Sequence, residues 1–100
     1  MKNHKDKVIE ILDTPIEVKF QEPDSWAEDG QGRCHFQKGQ ILIRDSMPQS
    51  IIRLVFLHEL IHMICDIQGV ELKEQDIDNI AVGMNSFLRN HDIDVILQEG

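Results

Sequence analysis

Hydrophobic positions recur at two different periods along this chain. Val8-Ile9-Glu10-Ile11-Leu12 is short, β-branched and partly alternating, and Ile16-Glu17-Val18-Lys19-Phe20 alternates apolar with charged residues. Period two marks a strand with one buried face, so these runs, joined through Asp13-Thr14-Pro15, read as a hairpin. Residues 21–32 hold Pro23, Gly30, Gly32 and several acids, which makes a polar loop with Trp26 as its anchor. Arg33-Cys34-His35-Phe36 and Gln40-Ile41-Leu42-Ile43-Arg44 flank a Gln37-Lys38-Gly39 turn and read as two more antiparallel strands.

The period then lengthens. Ile51, Ile52, Val55, Phe56, Leu57, Leu60, Ile61 and Ile64 make a helix over 46–68 that is apolar around much of its circumference, hence central to the fold. Ser46 with Gln49 three residues on is a capping signal, Pro48 suits a first turn, and Gly69 supplies the left-handed stop. A second helix over 73–90 is written by Ile77, Ile80, Ala81, Met84, Phe87 and Leu88, spaced three and four apart. Residues 92–97 alternate well enough for an edge strand and equally fit a helical tail. The expected fold class is α+β: about four strands in a small antiparallel or mixed sheet, packed on the first helix and followed by a second.

Composition narrows the class. One hundred residues with 41% hydrophobic content support one core, so residues 1–100 form a single domain, with residues 1–6 expected to be flexible. No apolar run approaches the roughly 20 residues of a membrane span, and the N-terminus lacks a signal-peptide apolar region, which points to a cytoplasmic protein. Two cysteines, Cys34 and Cys65, are too few for a disulfide framework and read as reduced thiols. The net charge of −8 repels phosphate backbones, arguing against direct nucleic-acid binding and for a protein or small-molecule partner. Nothing in the pattern sets an oligomeric state.

The candidate chemistry lies inside the apolar helix, at His58-Glu59-Leu60-Ile61-His62. Histidines at i and i+4 project from one face, one turn apart, close enough to share a Zn²⁺ ion. Glu59, about 100° round the helix, is too far round to join them as a ligand but near enough to work on a water at the metal. This H-E-x-x-H spacing joins metal-assisted activation of water to a carboxylate general base. Burying two imidazoles and a carboxylate in so apolar a segment without a ligand would cost several kcal/mol, which weighs against a purely structural role. A catalytic zinc wants a third protein ligand and an open position. Cys65 and Gln68 exclude the extended three-histidine form, leaving Glu71, Glu74, Asp76 and Asp78 of the next segment. Glu74 continues the stripe of Ile77 and Ala81 into the first turn of the second helix. Asp76 is its competitor and Asp78 points away. His35 is a structural strand histidine or an oxyanion partner, Cys65 a small buried hydrophobe, Met47, Met63 and Met84 packing residues, and His4 and His91 exposed.

The order of hairpin, strand Ile41-Leu42-Ile43, Leu54 to His62, and Glu74 to Ala81 resembles the small ImmA/IrrE-type zinc metallopeptidases common in phages and mobile elements, over residues 8–90. The resemblance implies a minimal, gluzincin-like zincin fold with two histidines and a downstream acid on zinc. It assigns His58 and His62 to the metal and Glu59 to catalysis. Glu74 matches the acid of the phage-type relatives, while larger relatives align an acid nearer Asp76. It also implies cleavage of DNA-binding repressor proteins. The expected activity is that of a zinc endopeptidase acting on a protein or peptide, with the substrate laid along the strand Gln40–Arg44. The alternatives are a non-catalytic module that keeps zinc for folding, or an accessory interaction protein with no metal. With His58 and His62 as ligands, metal should be released as pH falls below about 6, because imidazoles must be neutral to bind it.

Overall fold

The computed structural model describes residues 4–21 and 30–98, so the expected anchoring role of Trp26 lies outside the described residues. Strands β1 (Lys7–Ile11) and β2 (Thr14–Gln21) form the expected hairpin, with Ile11 opposite Thr14. Its two-residue turn is Leu12-Asp13, both at positive φ (50° and 63°), the backbone whose twist suits a tight hairpin. Strand β3 (Gly32–His35), a 3₁₀ turn over Phe36–Lys38, and β4 (Gln40–Arg44) make the second antiparallel pair. Gly39, at φ 62°, ends that turn in the left-handed region.

The two hairpins join through a parallel pairing of β2 with β4, giving a mixed four-stranded sheet of order β1-β2-β4-β3. Strand β4 is therefore interior, already paired on both sides. A substrate cannot add to Gln40–Arg44 as expected from the sequence; the edge on that side is β3. Alternation puts Ile16, Val18, Phe20, Ile41 and Ile43 on one buried face, while Glu17, Lys19 and Gln40 stand on the other, where Gln40 Nε2 donates to Glu17 Oε1 at 3.1 Å.

Helix α1 (Gln49–Gln68) covers the apolar face of the sheet. It has two buried stripes. Ile52, Val55 and Met63 pack on the sheet, and Leu57, Ile61 and Cys65 pack against Ile77 and Ala81 of α2 (Glu74–Asn90). This double burial accounts for the apolar circumference and for the central place of the helix. It starts later than the Ser46 signal implies: Pro48 precedes it, the Pro48 carbonyl accepts from Ile51 and Ile52, and no side chain caps the end. The Gln49 side chain is engaged elsewhere, with its Oε1 2.8 Å from His4 Nε2. Gly69, at φ 69°, closes the helix as expected, with Val70 N–H donating to the Cys65 carbonyl.

At the termini, one expectation is corrected and one open alternative is decided. His4 is half-buried, not exposed: its Nδ1 lies 2.6 Å from Oδ1 of the fully buried Asp45, and its ring stacks on Phe20. Asp6 Oδ1 accepts the Phe20 N–H at 2.9 Å, so residues 4–6 are tied to the body rather than free. At the other end, residues 92–97 take the helical alternative as α3 (Ile93–Leu97), because Asp92 Oδ1 accepts from Asp94 and Val95 N–H and caps the turn. Among the described residues, no helix is long and apolar enough to cross a membrane.

Candidate metal centre

The buried stripes of α1 leave a seam between them, and His58 and His62 stand in it. Their rings meet edge to face with centroids 4.8 Å apart and Nε2 atoms 3.2 Å apart. The Gly69 stop and a short link turn the chain back so that Ile77 and Ala81 dock on α1, which sets the first turn of α2 over this seam. Glu74 Oε1 then lies 2.7 Å from His58 Nε2, and Oε2 lies 3.0 Å from His62 Nε2. Asp76 is exposed, two residues and so about 200° round the helix from Glu74. Glu74 is thus the acid that meets both histidines.

Asp78 does not point away. One turn beyond Glu74, its Oδ1 lies 2.7 Å from His58 Nδ1. The i, i+4 spacing from Glu74 was the signal for this residue. This contact orients the His58 ring, and with a metal on Nε2 it is the arrangement that carboxylates give to metal-binding histidines.

The donor set is the test of whether a cation fits here. His58 Nε2 lies 3.2 Å from His62 Nε2, and these two nitrogens lie 2.7 and 3.0 Å from Glu74 Oε1 and Oε2, so the atoms form one chain of close polar contacts. Such a cluster repels itself unless protons or a metal ion stand among the atoms, and two imidazoles with a carboxylate are a fitting set for a divalent metal. His58, Glu59 and His62 also offer ligand atoms within 4.8 Å of one another, as do His58, Glu74 and Asp78, so these groups could hold a metal ion. Burial pushes Glu74 up, but hydrogen bonds and charge from His62 and His58 outweigh it and hold its carboxyl below the ordinary range.

Glu59 belongs to the sheet-facing stripe and is only 8% exposed. Its carboxyl is pushed above the ordinary range by burial, with His58 and His62 pulling the other way. Strand β3 passes directly over it at Gly32, a residue that sequence reasoning took as a loop glycine. A Cβ there would stand 2.5 Å from Val55 Cγ1 and 3.1 Å from Glu59 Cγ, so only glycine lets the edge strand approach so closely. No local pattern marks that need, since it arises between elements distant in sequence.

The centre opens on both sides. A cleft of about 510 Å³ leads past Ile51, Leu54, Val55, Ala81 and Val82, and one of about 290 Å³ leads past Arg33, Cys34 and Asp66. Gly32, His58, Glu59 and Glu74 line both. His35 closes β3 and lines neither. The cysteines are free thiols. Burial, reinforced by Asp66 and Glu59, pushes Cys34 up to about 12, so it stays a neutral thiol 3.9 Å from Asp66 Oδ2. Cys65 is the small buried hydrophobe expected, in contact with α2. Met63 is packed as expected, but Met84 is 37% exposed.

Comparisons with protein-family models, with curated proteins and with solved structures find no match for this chain. What the site can do is therefore argued from its residues and their geometry.

Proposed function

We propose that this chain is a zinc metallopeptidase whose metal is held by His58, His62 and Glu74. The observation that carries this reading is the convergence of His58 Nε2, His62 Nε2 and the Glu74 carboxylate, in successive contacts of 2.7 to 3.2 Å, beside the buried carboxylate of Glu59. Two histidines and one glutamate with an open position are the donor set of catalytic rather than closed structural zinc. Bound there, zinc would supply Lewis acidity, polarising a peptide carbonyl and lowering the pKa of water.

The chain's own residues do the rest. Glu59 takes a proton from the attacking water and returns it to the departing amine nitrogen, a role its buried setting supports by making the carboxylate a stronger base. Asp78 keeps His58 in the tautomer that leaves Nε2 free. A peptide is guided by β3. Because Arg44 N–H donates to the Gln31 carbonyl, the following alternation turns the N–H and C=O of Gly32 and Cys34 away from β4, toward a strand that could add to the edge. The sheet on its H-E-x-x-H helix would then be a minimal zincin-like fold. The family resemblance points the same way, to a regulatory protein as substrate.

A second reading has its own observation. Helix α2 buries only Ile77 and Ala81, so a metal bridging Glu74 to α1 would also fasten α2, as a zinc-stabilised binding module needs. A buried carboxylate at Glu59 has no purpose in that case. Metal analysis of the purified protein with a peptide-library digest, run beside Glu59→Gln and Glu74→Ala, separates the readings. The peptidase reading expects about one zinc per chain, loss of cleavage but not of zinc in Glu59→Gln, and weakened zinc in Glu74→Ala. Zinc without cleavage by the parent favours the module, and no zinc overturns both.

A further inference from the structure

The C-terminal part of the molecule carries apolar surface that stays exposed among the described residues. Past Ala81, α2 is held mainly by the half-buried Asn85, and Met84, Phe87 and Leu88 continue the exposed stripe of Ile80, with the Phe87 ring touching the His91 ring of its own helix end. These four lie within roughly 100° of the helix circumference. Two residues later, α3 presents Ile93, Ile96 and Leu97. These seven residues are 37% to 72% exposed. A five-residue helix is far too short to stand alone in water, so α3 needs something to pack against.

Extent and charge together indicate what covers this face. At roughly 200 Å² for a fully exposed large apolar residue, the seven leave on the order of 700 Å² open between Ile80 and Leu97. Two such faces would bury about 1,400 Å², the size of a stable specific interface. Residues 82–98 hold three charged residues, Arg89, Asp92 and Asp94, and no lysine, in a chain where 28 of 100 residues are charged. Low charge with Phe, Met and Leu is the composition of a homodimer interface. A basic partner would find few acids here, and an anionic lipid surface would find one arginine and no lysine.

We infer that this face pairs with the same face of a second copy of the chain, making a two-fold dimer through the C-terminal half of α2 and α3. The interface is isologous, so one surface closes on itself and no open filament forms. It includes none of the residues that would hold the metal, so dimerisation and peptidase activity stand or fall separately. The protomers repel each other with a charge of −8 each, and association therefore tightens with salt.

Sedimentation velocity of the full chain from 1 to 200 µM, at 50 and 500 mM NaCl, tests this. The expected result is a concentration-dependent species at twice 11.6 kDa, with a dissociation constant several-fold lower at high salt. Phe87→Asp should weaken the dimer about 30-fold or more, as loss of a central aromatic anchor does. Leu97→Asp, on a helix that supports no core residue, serves should Phe87→Asp not fold. Val8→Asp, an exposed apolar residue on β1 outside the face, should leave the dimer intact. A monomer at 200 µM in 500 mM NaCl overturns the inference and leaves the face to a different protein. A dimer indifferent to Phe87→Asp and Leu97→Asp overturns it by placing the interface elsewhere.

Discussion

Helices α1 and α2 are nearly equal in length, 20 and 17 residues, yet they are held in opposite ways. Seven side chains of α1 are buried, on two sides, against the sheet and against α2. Helix α2 buries two, at Ile77 and Ala81, and its remaining attachment runs through Glu74 and Asp78 to His58 and His62. Packing over-determines the position of α1, so its histidines are presented by a rigid element. The position of α2 rests on a smaller apolar contact together with the polar contacts of the site. One half of the candidate site is thus preorganised, and the other half would tighten if a cation bound.

The largest effect that would test this difference is catalytic. On a substrate found by library digestion, Glu59→Gln should lower the cleavage rate by roughly 10²- to 10⁴-fold without loss of metal; retained activity would remove Glu59 from its role on α1. Next comes the contrast in stability. Met63→Ala, at a position with no exposure, should cost about 2–5 kcal/mol in denaturant unfolding of the whole domain. Ile77→Ala should instead speed amide exchange across α2 well before the sheet exchanges. If both variants unfold the molecule as one unit, the helices are not held differently.

Metal should act mainly on α2. At a zinc concentration 1,000 times its dissociation constant, linkage stabilises the native state by about 4 kcal/mol, and chelation should return α2 amides to faster exchange while α1 and the sheet hold. Gly32→Ala is a smaller perturbation on the α1 side, expected to cost about 1–3 kcal/mol because its Cβ meets Val55 and Glu59. Thermal melts with zinc titration check whether it also disturbs the site.

The smallest effect concerns the N-terminal clasp. His4 is raised above its usual value by hydrogen bonds to Asp45 and Gln49, so the protonated form is bound more tightly in the folded state. Its contribution is full below the unfolded value near 6.5 and is lost as pH rises through the higher folded value. His4→Ala should therefore cost about 1 kcal/mol at pH 5.5 and less at pH 9. An equal cost at both would show that charge is not involved.

Much of α1 was legible in the sequence because each signal for it is local. Its apolar positions, the Gly69 stop and the i, i+4 histidines all lie within one continuous segment. The start was misplaced because Gln49, read as half of a cap, is drawn to His4 from 45 residues away. On α2, Glu74 was legible only as one of two acids, and Asp78 was misread, because the docking of Ile77 and Ala81 decides which face of α2 meets the histidines. Met84 was read as packing from its spacing alone, although it stays exposed on α2. Strand β4 was taken as an open edge because pairing order is not written in any single strand.

By itself, the sequence determined the α+β class, the two hairpins, the limits of the central helix within a few residues, and a pair of histidines poised on one face with Glu59 beside them. Period and spacing along a helix or strand act between neighbours and can be read without knowing the fold. Only the tertiary structure decided that β3 is the edge, that Gly32 must be glycine, that Glu74 and Asp78 close on His58, and that the apolar residues at the end of α2 stay exposed among the described residues. Each of these is a contact or a vacancy between segments far apart in the chain, set by which buried faces find one another.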